Sequence, residues 1–137
     1  MSQDFSNIVV GVLALQGDFA EHMKMLEQCG ASAIAVRYAE ELDLIHGLII
    51  PGGESTAVAK LTDEGTAPIF SAIKAKIPPS EKIGASSSSS CYPMPVYGTC
   101  MGSIFLANSI EGSGQGRLAV LDIKVQRNAP GPQRRRF

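Results

Sequence analysis

Net charge, histidine and long apolar runs are all scarce in this 137-residue chain. Twelve lysines and arginines offset thirteen aspartates and glutamates, leaving a formal charge of −1. A balance so near neutrality gives no electrostatic reason to expect nucleic acid or an anionic membrane as a partner. The cluster Arg134-Arg135-Arg136 reads as a solvated tail. No apolar stretch approaches the roughly 20 residues of a membrane span, and the N-terminus lacks the basic start of a secretory signal, so the expected location is the cytoplasm. Cys29, Cys91 and Cys100 are odd in number and irregularly spaced. That pattern fits reduced thiols rather than a disulfide framework or a metal site, and no metal or cofactor is expected. The two histidines are His22 and His46.

What is present suits one domain over residues 1–137. Hydrophobic residues make up 45% of the chain, and a chain of this length buries about two-thirds of its unfolded surface. Ile8 to Leu15 is an apolar, β-branched run suited to a strand covered on both faces. Gln16-Gly17 turns the chain, Asp18 is placed to cap a helix, and Phe19, Met23 and Leu26 recur at helical spacing before Gly30 ends it. A short strand is expected over Ala33 to Val36, a helical turn over Glu40 to Ile45, and a strand over Gly47 to Ile50. Helical material follows at Thr56 to Leu61 and Ala67 to Lys76, until Pro78-Pro79 stops it. Pro95 to Tyr97 leads into the turn around Cys100, Gly102 to Asn108 reads as a helix, and Ala119 to Val125 as another strand. Strands alternating with helices imply a parallel sheet with helices on both faces.

Between residues 77 and 95 the periodicity fails. Five serines, Ser86 to Ser90, are followed by Cys91-Tyr92-Pro93-Met94-Pro95. Most connections in compact domains run about 4–6 residues, so this stretch reads as a low-complexity insertion, with Cys91 an incidental thiol.

Two loops carry the chemistry. Val96 to Gly102 reads Val-Tyr-Gly-Thr-Cys-Met-Gly, and glycines two places either side of a cysteine give the spacing of a nucleophile elbow. Such a strand-to-helix turn needs neighbours without Cβ atoms, and a helix beginning at the cysteine favours its thiolate. A buried cysteine beside a flexible glycine turn has the same spacing. The second loop, Pro51-Gly52-Gly53-Glu54-Ser55-Thr56, follows the apolar run Gly47 to Ile50. Adjacent glycines there let backbone N–H groups face a ligand, as an oxyanion hole requires, although an ordinary turn capped by Ser55 or Thr56 has the same residues. In a parallel α/β sheet, loops at the carboxyl ends of neighbouring strands converge on one crevice, so the two turns are expected to share a site.

The blocks Gly11-Val12-Leu13-Ala14-Leu15-Gln16-Gly17, Glu21-His22, Leu48 to Thr56, Gly98-Thr99-Cys100 and Arg127-Asn128, in that order, resemble those of the glutaminase subunit of pyridoxal 5′-phosphate synthase, a class I, triad-type glutamine amidotransferase. The resemblance implies a flavodoxin-like, parallel-sheet three-layer α/β sandwich, incomplete at the C-terminus. It implies release of ammonia from L-glutamine for a β/α-barrel synthase subunit. Cys100 would be the nucleophile, and the backbone N–H groups of Gly53 and Met101 the oxyanion donors. Glutamine would be bound at Gly53, Glu54, Ser55 and Arg127, while Gln16, Glu21 and His22 would belong to the docking region.

Three departures accompany this resemblance. The family's triad histidine and glutamate fall beyond Phe137, so neither His22 nor His46 is expected to act as base. Met101 stands where a small residue usually follows the nucleophile, with bulk expected to crowd the pocket. Asn128-Ala129-Pro130-Gly131-Pro132-Gln133 also has proline where the family favours an aromatic, and Arg136 stands near a usual serine. Two other readings stay open: a docking form without catalysis, and a cysteine-based redox sensor on a similar fold.

Overall fold

The computed structural model describes residues 4–15, 17–53, 67–77, 93–112, 114, 117–127 and 129. Strands Val9–Leu13 (β1), Ser32–Val36 (β2), Gly47–Ile50 (β3) and Val96–Gly98 (β4) form one sheet in the order β2-β1-β3-β4. Every pairing in it is parallel, with Val10 opposite both Ala33 and Gly47, and Ile49 opposite Tyr97. The chain therefore starts in the middle of the sheet and winds outward in both directions. Connections between parallel neighbours must cross over the sheet, and the helices occupy those crossovers.

The helix Phe19–Gln28 (α1) links β1 to β2 and packs on both. Its Phe19, Met23 and Leu26 are half-buried, whereas Glu21, Lys24 and Glu27 are exposed, as the 3.6-residue period requires. Asp18 occupies the N-cap position, but its side chain makes no capping hydrogen bond. Gly30, with φ +82°, adopts the left-handed conformation that ends the helix. A 3-10 helix over Ala39–Leu44 leads into β3. It is anchored by Glu41, whose carboxylate accepts the backbone N–H groups of Arg37 at 2.7 Å and Tyr38 at 2.9 Å. Those donors hold the Glu41 carboxyl below the usual glutamate range.

The helix Ala67–Lys76 (α2) has the bounds the sequence suggests and sends Ile69, Phe70 and Ile73 into the core. They join Leu13, Val36, Leu42, Leu48, Ile50, Met101 and Phe105 in one apolar cluster. Phe70 meets Phe105 edge-on, with ring centroids 4.9 Å apart. A pair in that geometry adds about 0.5–1.5 kcal/mol beyond area burial. The helix expected over Thr56 to Leu61 lies outside the described residues, as do residues 78–92 of the serine-rich stretch. The described flanks of that stretch lie side by side, because Met94 N–H donates to the carbonyl of Lys76 at 3.1 Å.

Beyond the elbow the boundaries shift. The helix after Cys100 covers only Met101–Leu106 (α3), and Ala107 and Asn108, expected to be helical, open the strand Ala107–Ile110 (β5). Ala107 takes extended φ and ψ, and the strand finds its partner in Leu121–Val125 (β6), a parallel pair outside the main sheet. This pairing gives the backbone groups of 107–110 a set of hydrogen bonds that a longer helix would have supplied internally. The last strand begins at Leu121 rather than Ala119, whose φ of +52° bars it from a regular strand. Leu118 and Val120 donate their N–H groups to the carbonyls of Phe105 and Leu106, tying this second sheet to the elbow helix.

Candidate functional site

The carboxyl ends of β1, β3 and β4 meet at a single point in the fold. After Gly98 the chain turns sharply through Thr99 and Cys100 into α3, and Cys100 adopts φ +51° and ψ −112°. A non-glycine residue with this backbone is strained by about 1–3 kcal/mol and persists only where its surroundings enforce it. Here they do. A Cβ on Gly98 would lie 2.6 Å from the backbone of Gly102, and one on Gly102 would lie 2.0 Å from the carbonyl oxygen of Ile50. Both distances are shorter than any real carbon contact, so only glycine fits on either side of the cysteine.

Hydrogen bonds hold the turn from every side. Thr99 N–H donates to Ile50 O at 3.1 Å and Gly102 N–H to Thr99 O at 2.8 Å. The Ser103 hydroxyl donates to Gly98 O at 2.7 Å. The result presents Cys100 at the surface as a free thiol. A buried cysteine, the alternative that the sequence leaves open, is excluded.

The double-glycine turn packs against this elbow. A Cβ on Gly52 would stand 3.0 Å from the Cβ of Cys100 and 3.8 Å from its Sγ, so the turn and the sulfur do share one crevice. Gly53 follows with φ +151°, exposed, in a conformation that side chains rarely adopt. The turn after β1 closes on the same point, since a Cβ on Gly17 would lie 2.0 Å from the carbonyl oxygen of Gly52. Gln16, Glu54 and Ser55, which the sequence places around this pocket, lie outside the described residues.

Met101 departs from the crowding that its size suggested. Its side chain is 3% exposed and belongs to the apolar cluster with Leu13, Ile50 and Phe105. The bulk faces the core, beneath the elbow. Arg127 lies two residues past β6 in the chain and is half-buried. Glu21 is exposed on α1.

The two histidines part company. His46 stands before β3 at the amino end of the sheet, where its Nδ1 accepts the N–H of Val9 at 3.0 Å. His22 is half-buried, and its Nε2 lies 3.2 Å from Oγ1 of Thr99, the residue preceding the nucleophile candidate. The sequence marks His22 only as part of a docking helix. A contact spanning 77 positions has no periodicity or spacing to announce it.

The fold and this crevice define a class: a doubly wound, parallel α/β domain with a cysteine on an elbow beside a glycine-rich turn. Comparison with known proteins narrows it. The profile of the SNO glutamine amidotransferase family matches residues 12–137. A pyridoxal 5′-phosphate synthase subunit PdxT from Pelotomaculum thermopropionicum is 48% identical over 124 residues, covering 90% of this chain and 56% of that protein. Its namesake from Brevibacillus brevis is 43% identical over 128 residues, covering 93% and 59%. A crystal structure of a glutamine amidotransferase superposes with a TM-score of 0.71 at 42% identity, covering 90% of this chain and 59% of that one. The chain thus spans little more than half the length of these relatives. It belongs to the SNO glutamine amidotransferase family, and its fold is the flavodoxin-like α/β sandwich of class I glutamine amidotransferases.

Among the described residues, no helix is long and apolar enough to cross a membrane, and no group of three or more potential ligands could hold a metal ion.

Proposed function

We propose that this protein is a cytoplasmic glutaminase subunit that releases ammonia from L-glutamine and passes it to the barrel-shaped synthase subunit forming pyridoxal 5′-phosphate. The observation that carries the reading is the packing of Gly52 against the Cβ and Sγ of Cys100, which sets an exposed thiol beside a turn rich in backbone donors. Family membership supports the reaction class.

In this reading the Cys100 thiolate attacks the side-chain amide carbon of glutamine, forming the C–S bond. The N–H groups of Gly53 and Met101 stabilise the resulting oxyanion. Collapse breaks the C–N bond; the leaving NH2 takes up the proton that the base removed from the thiol and departs as ammonia, and a γ-glutamyl thioester remains. Water then hydrolyses the thioester to glutamate. Arg127 and Ser55 suit the α-carboxylate of the substrate, and Glu54 its α-amino group. In this reading neither His22, which lies against Thr99, nor His46, which accepts from Val9, serves as base. The histidine and glutamate that the resemblance places beyond residue 137 would supply it. Gln16, Glu21 and His22 would face the synthase subunit. Residues 1–137 would then belong to one glutaminase domain, with 77–95 an insertion in it.

Exposure to 6-diazo-5-oxonorleucine, with and without the synthase subunit, followed by mass spectrometry, tests the reading. The expected adduct is on Cys100, at a higher yield in the complex, and is absent from Cys100→Ala. Stable association with the synthase subunit and no adduct in either sample would instead establish a docking form. Oxidation of Cys100 by low peroxide without any adduct would establish the redox alternative.

A further inference from the structure

Cys100 holds an unfavourable backbone conformation, and most of the contacts that enforce it come from the elbow itself or from β3. One does not. The imidazole of His22, in the second turn of α1, reaches Oγ1 of Thr99 at 3.2 Å. Thr99 is half-buried and sits directly before Cys100, with its N–H committed to Ile50 and its carbonyl to Gly102. The peptide groups of Thr99 are therefore fixed within the sheet and the turn, and its hydroxyl is fixed by a helix that belongs to a different crossover.

We infer that His22 is a positioning residue for Cys100, acting through Thr99 and tying α1 to the nucleophile turn. The inference deepens the glutaminase reading and rests on it for the role of Cys100. A strained residue relaxes when one of its constraints is removed. Without the bond, the segment Thr99-Cys100 can rotate toward negative φ, and the sulfur then retreats from the exposed apex of the turn. The same bond gives any partner that moves α1 a direct hold on the nucleophile, because helix and elbow share it. His22 acts here as a hydrogen-bonding group, not as a catalytic base.

The test uses the full chain and iodoacetamide, a probe that needs an exposed thiolate and no amino-acid pocket. Cys29 is an exposed free thiol at the end of α1 and serves as the internal standard. The measured quantity is the ratio of Cys100 to Cys29 alkylation rates by mass spectrometry. Thr99→Val removes the hydroxyl while keeping the shape, and His22→Phe removes the ring nitrogens while keeping the ring. Each variant is expected to lower the ratio by about fivefold or more, with the double variant no lower than either single one, because both remove the same link. Thr99→Ser, which keeps the hydroxyl, is expected to restore the ratio to within about twofold of the parent. Melts followed by circular dichroism identify any variant that fails to fold; if Thr99→Val does, His22→Phe decides the question, an unchanged ratio there overturning the inference. An unchanged ratio in Thr99→Val, additive effects in the double variant, or a loss in Thr99→Ser equal to that in Thr99→Val would overturn the inference. A chain that shows the ratio changes but no adduct with 6-diazo-5-oxonorleucine would keep the positioning role and lose the glutaminase reading.

Discussion

The two ends of the four-stranded sheet are built by different means. At the carboxyl end, the turns after β1, β3 and β4 press closely together: a Cβ on Gly17, Gly98 or Gly102 would meet backbone at 2.6 Å or less, and one on Gly52 would meet the Cβ of Cys100 at 3.0 Å. At the amino end, exposed side chains add to the backbone pairing: the His46 ring accepts from Val9, and Lys76 pairs with Asp43 across an exposed surface. The lesson concerns tolerance. Contacts between backbones leave no room for substitution, whereas an exposed hydrogen bond or ion pair is replaced by water at little cost.

Three substitutions sharpen the contrast, beginning with the largest effect. Gly102→Ala places a Cβ 2.0 Å from the Ile50 carbonyl and is expected to destabilise the fold by about 3 kcal/mol or more, measured by urea unfolding. Cys100→Gly works in the opposite sense. Because it relieves a strained φ of +51°, it is expected to stabilise the chain by about 1 kcal/mol in the same assay, although the exposed thiol is lost. A gain in stability on removing the Cys100 side chain would show that the strain at this end of the sheet is carried by that residue. His46→Ala should have the smallest effect, a loss of about 0.5–1 kcal/mol with Cys100 alkylation unchanged. If His46→Ala proved as damaging as Gly102→Ala, the two ends would not differ as described.

Glu41 responds to pH in a defined direction. Its carboxyl is held below the usual glutamate range by the N–H groups of Arg37 and Tyr38. Its stabilising contribution is therefore present above the ordinary glutamate pKa and is lost as pH falls through the lowered folded value.

Much of the architecture was legible in the sequence because it rests on local pattern. The run from Gly47 to Ile50 forms β3 with the bounds its apolar residues suggested, and Ala67–Lys76 is helical up to the residues before Pro78. The elbow was legible because glycine on both sides of Cys100 has a steric cause that spacing alone expresses. The segment after it was not. Ala107 and Asn108 continue an apolar pattern compatible with helix, yet they enter a strand because Leu121–Val125 supplies a partner from further along the chain. The side of Met101 was equally hidden: a methionine after a nucleophile reads as an obstruction until the turn directs it into the core.

The order of residues alone determined that strands and helices alternate, that the strands run parallel, and that Cys100 sits on a tight turn, since periodicity and the absence of Cβ atoms act over a few neighbours. Only the tertiary structure decided that the Gly52 turn lies against the sulfur and that His22 reaches Thr99. Those contacts join positions tens of residues apart, and their distances are set by how the crossovers pack rather than by any local preference of the chain.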